Sequence, residues 1–338
     1  MKPFGALSAR GRLRRLRRMA EAALAAFGVE AERMTLLGSF TNTLYRVRTV
    51  AGRAYVLRIC APGWRTETDL RSEALWLEAL ARDTQIGAPV PQRTPGGEAV
   101  IGVHVDGVPA TCFCTLMTWI PGVNLGERLS VETLTQMGQL FAAMHAHGAD
   151  FAPPPGFTTR RMSHYLARGE QDTLFAPACV AALPARDRAA LEATRDRVAA
   201  AFAARYADPE GLRVIHNDLW HDNIKVNRGR LRPLDFEDTL WGYPVQDIAM
   251  AFEDLRTEGP SGCYAAFMEA FRTGYERSAP WPERYEGEID AFQAGRMLWV
   301  ANYVATHEAP HLNDFLARLT PRLESYLETG RVTPRGPA

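Results

Sequence analysis

The chain has 338 residues, 46% hydrophobic and 23% charged, with a formal net charge of zero. That length holds ample core and suggests two lobes or domains. Neutral overall charge gives no electrostatic pull toward nucleic acid or an anionic membrane, and no apolar run approaches the roughly 18–20 residues of a membrane span.

Residues 8–27 read as a helix with a very basic first half (Arg10, Arg12, Arg14, Arg15, Arg17, Arg18) and an alanine-rich second half that would pack. The whole chain is rich in arginine and no aromatics interleave here, so the basic half is expected to be a solvated face rather than a nucleic-acid site. The N-terminus lacks the apolar stretch and cleavage site of a secretory signal. Residues 34–40, 43–50 and 54–60 alternate or run apolar and read as strands. Residues 67–82 carry Leu70, Ala74, Leu77 and Leu80 at helical spacing. Residues 100–105 and 108–118 form a hairpin around Asp106-Gly107. Cys112 and Cys114, two apart on one strand, share a face as small core residues. Five cysteines without C-x-x-C spacing fit a reducing, cytoplasmic location.

Helical periodicity then fills 131–147, 160–170, 186–206, 244–257, 262–276, 285–306 and 312–329. Strand and loop sequence over 212–240 interrupts it. The expected fold is α+β and bilobal. Residues 1–118 form a small antiparallel-sheet lobe with one main helix, 119–122 a hinge, and 123–338 a larger, mainly helical lobe.

The chemistry concentrates in that interruption. Loop 214–226 contains His216-Asn217-Asp218-Leu219-Trp220-His221-Asp222-Asn223, an H-x-D-x-x-x-x-N pattern, and Leu234-Asp235-Phe236-Glu237-Asp238 follows. One carboxylate, one amide and a second carboxylate thus lie on neighbouring loops. Phosphoryl transfer from ATP needs a base for the acceptor's proton and oxygen ligands for magnesium. Glu237 and Asp238 read as adjacent strand residues that face apart, so at most one turns inward. A Walker A loop is excluded by inventory, because Lys2 and Lys225 are the chain's two lysines and neither follows glycine within that motif. His307-Glu308-Ala309-Pro310-His311 matches H-E-x-x-H, but Pro310 disfavours the unbroken helical turn a zinc site needs.

On these residues, with Tyr243-Pro244-Val245-Gln246-Asp247-Ile248-Ala249, the chain resembles the aminoglycoside phosphotransferase family, whose relatives include homoserine kinase and choline kinase. The resemblance implies a protein-kinase-like fold and ATP and magnesium as cofactors. Asp218 would be the base, His216 a brace of its loop, Asn223 and Asp235 the metal ligands, and Asp247 an anchor of the loop backbone. Gly38 and Ser39, within 37–42, occupy the place of a phosphate-covering loop. Arg58 stands where kinases carry lysine; it would reach the α- and β-phosphates and pair with Glu73, with Glu78 as the competing partner. The adenine would sit against the connector near Met117 and Trp119.

A small-molecule hydroxyl (of an amino alcohol, amino acid, sugar or aminoglycoside) is the expected acceptor. The alternatives are a protein Ser/Thr kinase of the same fold and a catalytically silent nucleotide-binding regulator. The lysine usual two positions after the catalytic aspartate is replaced by Trp220, which leaves His221 or a distant arginine to supply its charge. Neither a nucleic-acid nor a membrane partner is expected, and the sequence does not reveal an oligomeric state.

Overall fold

Ser8 starts the first helix, α1 (Ala9–Ala26), by accepting a hydrogen bond from the Gly11 N–H at 3.2 Å. The structure is a computed structural model that describes residues 2–260 and 262–332. It divides into two units. The first is the chain up to Pro121 together with Ala152–Thr159; the second is Gly122–Phe151 and the chain from Arg160 onward.

In the first unit, β1 (Ala31–Ser39), β2 (Asn42–Thr49), β3 (Ala54–Cys60), β4 (Val100–Val103) and β5 (Cys112–Thr118) make an antiparallel sheet of order β1-β2-β3-β5-β4. The period of two is plain in β2, where Tyr45 and Val47 are buried and Arg46 and Arg48 face out. Met19, Ala20, Ala23 and Leu24 of α1 pack with Tyr45, Val47, Leu57 and Leu116 into one core. Arg10, Arg12, Arg14, Arg17 and Arg18 of α1 are exposed, whereas Arg15 is half-buried and donates to the Gly107 carbonyl. Cys112 and Cys114 are both buried, and burial pushes the Cys114 thiol up, away from the reactive thiolate. β5 begins four residues later than the sequence suggests. Gly107 has φ 84°, and Pro109 has no N–H to give a ladder, so the turn extends to Thr111. The helix α2 (Glu67–Asp83) starts from a capping box between Thr66 and Asp69.

The second unit is built on helices α3 (Val131–Asp150), α4 (Pro177–Ala182), α5 (Ala185–Tyr206), α6 (Pro244–Glu258), α7 (Tyr264–Glu276), α8 (Glu288–His307) and α9 (Leu312–Thr329). Short strands β6 (Val123–Asn124), β8 (Ile224–Asn227) and β9 (Arg230–Pro233) form one sheet; β7 (Arg213–Ile215) and β10 (Leu240–Gly242) form another. Glycine lets α3 approach its neighbours at backbone distance. A Cβ at Gly138 would fall 2.0 Å from the Phe271 carbonyl, one at Gly274 1.9 Å from the Thr135 carbonyl, and one at Gly148 2.1 Å from the Val214 carbonyl. The last contact seats β7, which leads straight into the H-x-D loop. Gly274→Ala is expected to cost about 1–3 kcal/mol or more by overpacking, read as a lower urea midpoint at unchanged slope.

The helix expected over 160–170 does not form. Met162 N–H donates to the Trp241 carbonyl at 2.9 Å, Trp241 N–H donates to the Arg160 carbonyl at 2.7 Å, and Gln246 Nε2 donates to the Met162 carbonyl at 2.9 Å. The segment is thus held as an extended bridge on β10, and Gly169 (φ 75°) turns it. Tertiary hydrogen bonds override local periodicity here.

Candidate active site

Beyond β7 the chain runs through residues 216–220 into a single 3₁₀ turn, His221–Asn223, and on into β8. Asp247, in the first turn of α6, organises this loop. Its Oδ1 accepts from the Asn217 N–H at 2.7 Å and its Oδ2 from the His216 N–H at 3.3 Å. His145 on α3 donates from Nε2 to the same carboxylate at 3.1 Å, while its Nδ1 accepts from the Tyr275 hydroxyl at 3.0 Å. His216 donates from Nε2 to the Leu234 carbonyl at 2.8 Å and accepts the Asp218 N–H on Nδ1 at 3.3 Å. That pattern fixes its tautomer and ties the two acidic loops together.

The amide of Asn223 donates from Nδ2 to Asp218 twice, to the backbone carbonyl at 2.8 Å and to Oδ2 at 3.0 Å. The Leu234 N–H donates to the Asn223 carbonyl at 2.8 Å, which fixes the backbone just before Asp235 against the 3₁₀ turn. Asn217 and Asp235 adopt left-handed φ values of 64° and 55°. Such conformations cost energy and persist where surrounding contacts impose them, often at functional sites. Asp235 itself is exposed.

Burial, then the neighbouring Asp238 carboxylate, raises the pKa of Asp218 well above the ordinary range, with Asp254 adding to the rise. Arg296 and Arg168 oppose it. Arg296, on α8, lies 3.6 Å from Asp218 Oδ1 and 3.5 Å from Asp254 Oδ2. Arg168 pairs with Asp238. The 237–238 stretch is a turn rather than the strand expected, which is how Asp238 reaches Arg168. Glu170 accepts from the Arg168 N–H at 2.7 Å and from Trp299 Nε1 at 2.9 Å, and the Arg296 guanidinium lies 4.3 Å from the Trp299 ring centre. Sequence reasoning missed Arg168, Asp254, Arg296 and Trp299. Asp254 alone left a signal: it falls seven residues after Asp247 on one helix, and so on the same face.

Desolvation dominates at His145 and His216 and lowers both pKa values below the usual 6.5. At these two groups the unfolded state therefore binds more protons below pH about 6.5, and their contribution to stability falls with pH down through the folded pKa values. Asp218, whose raised pKa acts in the opposite sense, is common to both proteins, so the urea midpoint at pH 7.5 minus that at pH 5.5 is expected to be smaller in His145→Gln than in the unaltered protein.

In the first unit, Arg58 and Glu73 form a two-pronged ion pair. Nη1 donates to Oε1 at 3.1 Å, Nη2 donates to Oε2, and both residues are 3% exposed. Glu78 instead pairs with Arg93 at 2.8 Å, so the choice left open by the sequence falls to Glu73. Gly38 and Ser39 close β1 beside a hairpin tip at which Phe40 is 93% exposed, and Ser39 Oγ lies 2.8 Å from Thr43 Oγ1. Met117 sits on β5, and the Trp119 N–H donates to the Ala54 carbonyl at 3.0 Å. Trp119 also lies under the Arg46 guanidinium at 4.4 Å.

Asn223 and Asp235 suit magnesium by their donor chemistry. The Asn223 amide nitrogen is committed to Asp218, which leaves its oxygen as an acceptor. Among the described residues no group of three or more His, Cys, Asp or Glu forms a metal cage. Magnesium is commonly held by one or two protein oxygens, with waters and phosphate completing the shell. His307 ends α8 and Glu308 leaves helical geometry (φ −133°), so the H-E-x-x-H histidines fall on different elements.

The family model described as APH, Phosphotransferase enzyme family, matches residues 33–281. The chain belongs to that family, and is on that ground a kinase. It is 25% identical over 297 residues to an uncharacterized protein of Deinococcus radiodurans, covering 86% of this chain and 82% of that one. It is 31% identical over 205 residues to a homoserine kinase of Xanthobacter autotrophicus, covering 59% and 57%. Among solved structures, amicoumacin kinase hAmiN in complex with AMP-PNP, Ca2+ and Ami superimposes with a TM-score of 0.76 at 16% identity, covering 95% of each chain. A microcompartment-associated aminopropanol kinase gives 0.76 at 18%, covering 93% and 98%. The fold is protein-kinase-like, with the antiparallel sheet in its first unit and helices predominating in the second.

Proposed function

We propose that the protein is an ATP- and magnesium-dependent kinase that phosphorylates a hydroxyl of a cytoplasmic small molecule. The observation that carries this reading is the loop in which Asp247 holds the backbone of 216–217 while Asn223 holds Asp218. Asp218 accepts the acceptor's proton late in the transfer, and its raised pKa suits that task. Asn223 and Asp235 would hold magnesium, which would supply charge neutralisation on the phosphates. In the first unit, Gly38, Ser39 and Arg58, braced by Glu73, serve the nucleotide phosphates, and Met117 and Trp119 serve the adenine. Arginine grips two phosphate oxygens with its planar fork, unlike the lysine it replaces.

A small acceptor is favoured over a protein because the chain passes from Asp235 through β10 to α6 at Pro244 without an activation segment. Retention of Asp218, Asn223 and Asp235 together speaks against a silent regulator. Solved structures of the same fold include an aminopropanol kinase, and a sequence relative is a homoserine kinase. Amino alcohols and hydroxy amino acids are therefore the first acceptors to try, followed by sugars and aminoglycosides. ADP formation with magnesium across such a library tests the reading. At least one acceptor is expected to raise it at least tenfold over the acceptor-free rate. Tight ATP binding with no productive acceptor would favour the regulator.

A further inference from the structure

Phosphoryl transfer gathers negative charge beside a loop that already faces Asp218, Asp238 and Asp254, and Trp220 stands where kinases place a lysine. The basic side chains against this loop differ in how fully they are engaged. His221 is buried, with its ring edge-on to that of Trp220. Lys225 donates to Asn124 Oδ1. Arg168 is closed on Asp238. Arg296 meets its two carboxylates at 3.6 and 3.5 Å, longer than the ~2.7–2.9 Å of a charge-assisted hydrogen bond. Its buried Nε has no acceptor. Stacking on Trp299 orients the fork, and the side chain keeps 15% of its surface open.

Resting on the phosphotransferase reading above, we propose that Arg296 is a further catalytic residue, one that binds the oxygens of the phosphoryl group as it passes from the nucleotide to the acceptor. A hydroxyl held by Asp218 lies ~3 Å from the phosphorus it attacks, which sets the equatorial phosphoryl oxygens within roughly 6 Å of that carboxylate. A guanidinium 3.6 Å from the same carboxylate lies within a side-chain rotation of those oxygens. In the step, the acceptor oxygen bonds to the γ-phosphorus and the bond to the bridging oxygen breaks. That electron pair leaves with the nucleoside diphosphate, and the hydroxyl proton moves to Asp218. Arg296 takes no covalent part; its N–H groups neutralise charge that is greatest midway.

A carboxylate on the acceptor is the competing occupant of the fork, and kinetics separate the two. Arg296→Ala is expected to lower kcat about 10²-fold with the acceptor KM nearly unchanged. It is also expected to weaken binding of ADP–aluminium fluoride, a mimic of the transferring group, while ADP alone binds as before. Added methylguanidinium is expected to restore part of kcat in Arg296→Ala and none in Asp218→Asn. An unchanged kcat with a raised acceptor KM, or equal loss of ADP and ADP–aluminium fluoride affinity, would overturn the assignment. Should Arg296→Ala fail to fold because Asp254, half-buried, loses this partner, the double variant with Asp254→Asn removes that charge and carries the same measurements. The fluoride arm needs no acceptor. Absence of turnover in the unaltered protein would thus count against the kinase reading, whereas fluoride binding indifferent to Arg296 would count against this inference alone.

Discussion

Asp218→Asn is expected to lower kcat by about 10³-fold while the affinity for ATP stays within a few-fold. The amide is isosteric and keeps an oxygen for the Asn223 Nδ2 donor now 3.0 Å away, but it has no affinity for the acceptor's proton. Stability is expected to hold or rise. Burial and Asp238 both oppose the charge on Asp218, so removing it relieves repulsion, and Arg296 retains Asp254 as a partner. Activity and melting temperature would then move independently, as they do where a site is built against local stability. Steady-state ADP formation beside a thermal melt checks both parts. A parallel loss of folding would mean that Asp218 holds the loop rather than serving the reaction.

The second large effect is expected at Asp247. Alanine there leaves the His216 and Asn217 N–H groups and His145 Nε2 without their acceptor. All four residues are buried, so water cannot replace the lost bonds. Orphaning this set is expected to cost on the order of 3–5 kcal/mol and to release the loop that carries Asp218. Urea unfolding should register the first consequence and kcat the second. Asp247→Asn, which keeps acceptor oxygen but loses the charge, is expected to fall between. A variant with unchanged midpoint would show that the loop is held by something other than this carboxylate.

What the sequence disclosed depends on how local each cause is. The H-x-D-x-x-x-x-N loop was legible because its partners lie within a few residues: Asn223 folds back on Asp218, and His216 reaches Leu234 across one short hairpin. Helices with caps and an apolar stripe, such as α2 and α9, were legible for the same reason. The 160–170 segment was not, because distant residues, Trp241 and Gln246, decide its backbone. That error also hid Arg168 and Glu170, whose places follow from the extended path. Arg296 and Trp299 are spaced as ordinary helix residues. Only the approach of α8 to α6 and to the loop sets Arg296 between Asp218 and Asp254. The strand assigned to Glu237 and Asp238 failed because a turn begins there, and a run of acidic residues does not announce a turn. No helix among the described residues is long and apolar enough to cross a membrane.

The most direct measurement follows the phosphorus itself. With an acceptor from the screen, ³¹P NMR of the reaction is predicted to show one phosphate monoester on the acceptor's hydroxyl for each ADP formed, dependent on magnesium and abolished by Asp218→Asn. ADP accompanied by free phosphate alone, or monoester forming undiminished in that variant, would contradict the account.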